Sequence, residues 1–280
     1  QFVETMVLLT INHQSLIATK TSRIVRAAQG RGVMEFGTRR AQGVSAAVLG
    51  ARSTYIGGCA GTACTIADQE FRVPAMGTMA HSWVQSFENE YEAFKAYAQS
   101  YPDNAVLLVD TYNVLKSGVP NAIKVFDEYK PINKGIRIDS GDVTYLTRCA
   151  RKMLDNAGHE DCKIVVSNSM DEYIIRDVLL QGAKIDSFGV GEKLITSKPD
   201  PVFGGVYKLS TIMRNGTAVP TLKVSENLDK ITDPGFKKVY RLFDNNSGKA
   251  IADVITLADE VIDDSKPYTI FDPRAIWKKK

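Results

Sequence analysis

The segment Val106-Leu107-Leu108-Val109-Asp110 decides the fold: a continuous apolar run closed by an acid, followed by a helical stretch from Val114 to Tyr129. The same design recurs along the chain. Val33 to Gly37 precedes Arg39 to Gly50, Thr54 to Gly58 precedes Thr62 to Gln69, and Gly135 to Asp139 precedes Asp142 to Ala157. Lys163 to Asn168 then leads into Asp171 to Gln181, Asp186 to Gly191 closes the series, and Val73 to Gly77 is a candidate seventh strand. Apolar strands alternating with helices predict parallel strands buried on both faces. Their spacing of roughly 20 to 30 residues suits a βα unit. The expected fold is α/β, a closed or nearly closed barrel, with its chemistry at the C-terminal ends of the strands.

After Ser197 the texture changes. Lys198-Pro199-Asp200-Pro201 breaks the pattern, and Val206 to Met213, Leu222 to Val224, Lys238 to Phe243 and Lys249 to Ile255 read as strands. Arg214-Asn215-Gly216 and Asp244 to Gly248 carry hairpin turn signals. The division expected is therefore a helical lead-in over 1–30, a catalytic barrel over 31–197 and a β-rich segment over 198–280. The start, with Val3, Val7, Leu8 and Leu9, reads as a helix entered midway. The chain is thus expected to be a fragment, with the missing partners of its antiparallel sheet lying before residue 1.

Composition narrows the class. Of 280 residues, 44% are hydrophobic and 24% charged, with a net charge of +3. These are ordinary values for a globular protein, and the charge is too small to suggest nucleic acid as a partner. Lys278, Lys279 and Lys280 read as a solvated tail. No apolar run reaches the length of a membrane span, and Glu4 stands where a signal peptide would carry basic residues. Cys59, Cys64, Cys149 and Cys162 match neither a disulfide framework nor a zinc site. They read as buried thiols of a cytoplasmic protein.

Chemistry concentrates at the predicted strand ends. In Arg137-Ile138-Asp139-Ser140-Gly141-Asp142, the Arg137 fork matches phosphate oxygens, and Asp139 and Asp142 can bind ribose hydroxyls or Mg²⁺. Helix capping would explain one acid there, but not an arginine and two acids together. Gly189-Val190-Gly191 and Ser167-Asn168-Ser169 end neighbouring strands and suit one phosphate. A tight turn and a serine N-cap would explain them equally well. Phe36 with Arg39 and Arg40 can hold a flat anionic ring, although a core phenylalanine beside solvated arginines is the plainer reading. His81, in Gly77-Thr78-Met79-Ala80-His81-Ser82, can act as nucleophile or base, or be a histidine held by local hydrogen bonds. His13 and His159 lie in polar helical or loop contexts and read as incidental.

Taken together, EFGTRRAQG (35–43), GTMAHSWV (77–84), VDTYNVLKSGVPNAI (109–123), GIRIDSGD (135–142), SNSMDEY (167–173) and FGVGEKLIT (188–196) resemble the nicotinate phosphoribosyltransferase family. The resemblance runs from about Glu4 to Leu209. It implies an irregular type II phosphoribosyltransferase α/β barrel with part of a smaller antiparallel sheet domain. It implies transfer of the 5-phosphoribosyl group of phosphoribosyl pyrophosphate to nicotinate, giving nicotinate mononucleotide and pyrophosphate in NAD salvage. ATP hydrolysis would be coupled through a phosphorylated histidine matching His81, with Mg²⁺ as cofactor. By resemblance, Phe36 and Arg39 hold the pyridine ring, and Arg40 and Asp110 are further substrate-binding candidates. Arg137 and Asp139 contact the phosphoribosyl group and its metal-bound pyrophosphate. Ser167, Asn168, Ser169, Gly189 and Gly191 line the 5′-phosphate site, and Lys208 reaches the same anions.

The family is usually longer, with an N-terminal sheet domain whose aromatic residue stacks on the ring across a homodimer interface, so active sites are expected to be shared. Related nicotinamide enzymes place an aspartate near the ring amide. The stretch Gly57 to Ala63 carries no acid, and an acid there would repel the nicotinate carboxylate. The alternatives are a nicotinamide or quinolinate phosphoribosyltransferase, or a non-catalytic nucleotide-binding relative.

Overall fold

The computed structural model describes residues 2–227, 231–263, 265–272 and 275–279, so the terminal Lys280 lies outside the described residues. It divides into two units, 1–205 and 206–280. The first opens with α1 (Phe2–Ala27), whose Ile17, Lys20, Thr21 and Ile24 are buried at the spacing of one helical face. Then come β1 (Gly32–Glu35), α2 (Val44–Ile56), β2 (Gly61–Thr62), α3 (Thr65–Phe71), α4 (His81–Gln85), α5 (Glu90–Ser100) and β3 (Asn104–Leu108). A π-helical turn over Val114–Gly118 leads into α6 (Val119–Tyr129). There follow β4 (Asn133–Ile138), α7 (Val143–Asn156), β5 (Lys163–Ser167), α8 (Glu172–Leu180), β6 (Ser187–Val190) and α9 (Glu192–Ile195).

The six strands are parallel and ordered β2-β1-β6-β5-β4-β3. They curl into a half-barrel with edges at β2 and β3 rather than closing into a ring. The candidate seventh strand, Val73 to Gly77, supplies only an isolated bridge from Ala75 to Thr62. Leu107, Leu108, Ile136, Ile138, Ile164, Val166, Phe188 and Val190 are all fully buried. Such strands form because neither face meets water. Register sets the site: Ser167 pairs with Gly189, Gly189 also with Met34, and Leu108 with Arg137.

One expected strand is a helix. Thr54 to Ile56 complete α2, and the following loop reaches β2 only at Gly61. Thr54 returns its hydroxyl to the Ala51 carbonyl at 2.7 Å and Ser53 to Leu49 at 2.8 Å. These bonds satisfy the two hydroxyls within the buried helix. Small buried Ala47 and Ala51 let α2 pack on its neighbours. Of the four thiols, Cys59, Cys64 and Cys162 are buried, while Cys149 is half-buried, contrary to the reading of all four as buried.

The second unit consists of three two-stranded antiparallel ladders: β7 (Thr211–Arg214) with β8 (Thr217–Pro220), β9 (Lys237–Phe243) with β10 (Ala250–Leu257), and β11 (Phe271–Asp272) with β12 (Ala275–Lys279). Asn215 and Gly216 take φ of 50° and 78°, the left-handed pair of a tight hairpin. Leu222 and Val224, expected in a strand, are exposed and unladdered. No helix among the described residues is long and apolar enough to cross a membrane.

Candidate active site

The C-terminal end of β1 turns sharply on a buried carboxylate. Glu35 accepts from the Gly37 N–H with one oxygen and from the Thr62 hydroxyl with the other, the latter at 2.5 Å. Burial pushes its carboxyl up, opposed by the hydrogen bonds from Thr62, Gly37 and Thr38. This knot fixes the short 3-10 turn of Thr38–Arg40 and projects Phe36 and Arg39 onto the rim. The Phe36 ring lies against Gly189, where a Cβ would come within 2.4 Å of the ring. A Cβ at Gly37 would stand 2.7 Å from the Gly191 carbonyl oxygen, so β1 and β6 meet through glycines. No acid among the described residues pairs with the exposed Arg39 or Arg40.

Arg137, at the end of β4, joins the strand ends. Nε donates to Ser167 Oγ at 2.7 Å, Nη1 to Thr78 Oγ1 at 2.8 Å and Nη2 to Asp139 Oδ1 at 3.1 Å. The Ser167 hydroxyl donates in turn to the same Asp139 oxygen. The guanidinium also sits 5.3 Å from the Phe36 ring centroid, a cation–π distance. Beside it, His81 Nε2 lies 3.0 Å from Asp110 Oδ1. Asp110 is only 1% exposed, whereas His81 is 40% exposed. Its other oxygen accepts from the Asp139 N–H at 3.0 Å and the Ser140 hydroxyl at 2.6 Å.

Two cavities open on this rim. One of about 200 Å³ is lined by Arg39, Arg40, Ser167, Asn168, Ser169, Gly189, Gly191 and Lys193, among others. The second, of about 440 Å³, runs past Ala63, Gly77 to Ser82 and His81. Phe36, Arg39, Arg137 and Asp139 wall both. Asn168 holds a left-handed φ of 132°, which turns the chain at the cavity edge.

Three expected residues stand elsewhere, Asp110 being buried behind His81 and lining neither cavity. Asp142 is the N-cap of α7, its Oδ1 accepting from the Tyr145 N–H at 3.0 Å, and it lines neither cavity. Lys208 belongs to the second unit. No group of three or more His, Cys, Asp or Glu among the described residues could hold a metal alone. Asp139 at the cavity wall does fit a magnesium ion carried largely by phosphate oxygens and water. Glu35, Thr78, Asp171 and Lys193 lie inside the quoted motifs but had no role assigned from sequence, and Thr62 lies outside them.

A curled parallel sheet whose rim combines a glycine-and-serine cradle, an arginine knot and an aromatic–guanidinium clamp defines a type II phosphoribosyltransferase fold. Residues 32–255 match the family model described as nicotinate phosphoribosyltransferase (NAPRTase), and residues 236–280 match the C-terminal domain of that family. The chain belongs to the nicotinate phosphoribosyltransferase family. The nicotinate phosphoribosyltransferase of Bacillus subtilis is 47% identical over 275 residues, covering 98% of this chain and 56% of the relative. Nicotinate phosphoribosyltransferase pncB2 of Mycobacterium tuberculosis is 40% identical over 248 residues, covering 86% and 51%. The crystal structure of human nicotinic acid phosphoribosyltransferase superposes with a TM-score of 0.75 at 27% identity, covering 92% of this chain and 59% of that one. The chain thus spans about half the length of the curated relatives it matches.

Proposed function

We propose that this chain carries the site that transfers the 5-phosphoribosyl group of phosphoribosyl pyrophosphate to nicotinate, yielding nicotinate mononucleotide and pyrophosphate for NAD salvage. The observation that carries the reading is the sharing of Phe36, Arg39, Arg137 and Asp139 by two adjoining cavities. That arrangement seats a ring and a phosphorylated sugar side by side.

In the reaction, the lone pair of the nicotinate nitrogen forms a bond to ribose C1 as the C1–O bond to pyrophosphate breaks. The bonding pair leaves with pyrophosphate, and no base is needed. Phe36 stacks on the ring and Arg39 neutralises its carboxylate, while Arg40 adds positive charge to the phosphate-side cavity. Ala63, at the cavity wall, puts a methyl group where an acid would repel that carboxylate. Arg137, oriented by Ser167, Thr78 and Asp139, faces the developing charge of the leaving group. Asp139 is the residue that would hold magnesium, which would supply screening of that charge. Ser167, Asn168, Ser169, Gly189 and Gly191 cradle the 5′-phosphate.

ATP coupling belongs to the same proposal. Asp110 accepts from His81 Nε2–H, which leaves Nδ1 with the lone pair. Nδ1 attacks the γ-phosphorus of ATP, the bridging P–O bond breaks and ADP departs. Water later cleaves the N–P bond and releases phosphate. Phosphorylation adds about two negative charges beside the site, which we propose reorganises the substrate loops to favour phosphoribosyl pyrophosphate. The assembly proposed is a cytoplasmic homodimer in which a partner's aromatic residue covers the second face of the ring.

The test is a rate assay of the purified protein with nicotinate, phosphoribosyl pyrophosphate and Mg²⁺, with and without ATP. Nicotinate mononucleotide formation, stimulated by ATP, is expected. Turnover with nicotinamide or quinolinate in place of nicotinate would reassign the acceptor. Silence with every acceptor would leave a nucleotide-binding relative.

A further inference from the structure

Lys193, in α9 just after the end of β6, reaches across to the segment that follows β5. Its Nζ donates to Asp171 Oδ2 at 2.6 Å, with the two side chains 22% and 13% exposed. Asp171 divides its carboxylate. Oδ1 accepts from the N–H groups of Tyr173 and Ile174 at 3.0 and 2.8 Å, capping α8, and Oδ2 is left for the lysine. Burial pushes the Asp171 carboxyl up, but the Ile174 N–H and the Lys193 ammonium outweigh it and hold the group below the usual carboxylate range. Asp171 is therefore a fixed anion, anchored to a helix.

The two residues face the cavity differently. Lys193 lines the space bounded by Ser167, Ser169, Gly189 and Gly191, and Asp171 does not. An ammonium has three donors, and Asp171 engages one. The pair thus presents a compact positive charge to the cavity with its counter-charge behind it. Arg137 turns its fork to Ser167, Thr78 and Asp139, and Arg39 and Arg40 stand on the turn after β1, whereas Lys193 stands beside the cradle itself. Lys193 also ties the loop after β6 to the loop after β5, the two halves of the glycine–serine cradle.

We propose that Lys193 is the cation that binds the 5-phosphate of the phosphoribosyl ligand, and that Asp171 is its positioning residue. The proposal rests on the phosphoribosyl-transfer reading, which places a phosphate monoester in this cavity. A monoester is close to a dianion at neutral pH. An ammonium held at one point distinguishes it from an unphosphorylated sugar.

Two measurements test the assignment on Lys193→Met, Lys193→Arg and Asp171→Asn. The first is KM for phosphoribosyl pyrophosphate against KM for nicotinate. The second is the thermal stabilisation by ribose 5-phosphate, with ribose as control, and needs no turnover. Lys193→Met is expected to raise KM for phosphoribosyl pyrophosphate about 10- to 100-fold, the range of a lost charge-assisted hydrogen bond. It should leave KM for nicotinate within about twofold and abolish the ribose 5-phosphate shift. Lys193→Arg should restore most of both readouts. Asp171→Asn, which still caps α8, should fall between. Should Lys193→Met fail to fold, Lys193→Gln is read by the same criteria. A methionine variant that keeps the ribose 5-phosphate shift, or loses affinity for both substrates equally, overturns the assignment. Ribose 5-phosphate binding through Lys193 in a protein that forms no nicotinate mononucleotide would support this site while sinking the transfer reading.

Discussion

One carboxylate, that of Asp110, holds His81 by Oδ1 at 3.0 Å and the Asp139 N–H by Oδ2 at 3.0 Å. The proposed phosphoryl acceptor and the rim acid therefore share one buried anchor. His81→Asn is expected to abolish ATP hydrolysis and the ATP-stimulated part of turnover. Asp110→Asn should do more, because it also loosens Asp139 and Ser140, and kcat/KM should fall by about 100-fold. Initial rates with and without ATP check both. A His81→Asn protein with full ATP-stimulated turnover sinks the phosphohistidine.

Arg137→Lys keeps the charge and loses the fork. A lysine cannot serve Ser167, Thr78 and Asp139 together at the arginine's geometry. The expected cost is about 2 kcal/mol in urea unfolding, from polar partners left unmatched. Activity should fall as well, by about 100-fold in kcat/KM.

Gly189→Ala places a methyl group where the Phe36 ring stands, at 2.4 Å before relaxation. Overpacking of this kind costs about 1–3 kcal/mol. The ring is expected to tilt, raising KM for nicotinate more than KM for phosphoribosyl pyrophosphate. Steady-state kinetics on both substrates and a thermal melt measure it.

Glu35 predicts a pH dependence of stability. Burial raises its folded pKa above the unfolded value, so its contribution is full below the unfolded carboxylate pKa and is lost as pH rises through the folded one. Wild type should therefore lose stability relative to Glu35→Gln over that interval. Tm measured from acid to neutral pH for both proteins gives the difference. A constant gap would show that the carboxyl titrates normally.

Much of this rim is legible in the sequence because chemistry and topology coincide there. An apolar run ending in a polar cluster is both a buried parallel strand and a site at its end, as Ile136 to Asp139 shows. Thr54 to Ile56 misled because β-branched residues favour strands, while packing of the buried face of α2 decided for a helix. Asp142 opens the helix expected from it, and the fold makes it that helix's N-cap, away from both cavities. The Asp171–Lys193 contact joins different βα units and has no local signature. The half-barrel itself follows from register and edges, which periodicity does not report.

The shared wall of Phe36, Arg39, Arg137 and Asp139 has a thermodynamic consequence. Any adjustment of these side chains by a ligand in one cavity is felt by the ligand in the other. Reciprocity then requires that the factor by which nicotinate changes phosphoribosyl pyrophosphate affinity equal the factor in the opposite direction. Cooperation between the two substrates would be written into the partition between the cavities, with no moving domain required.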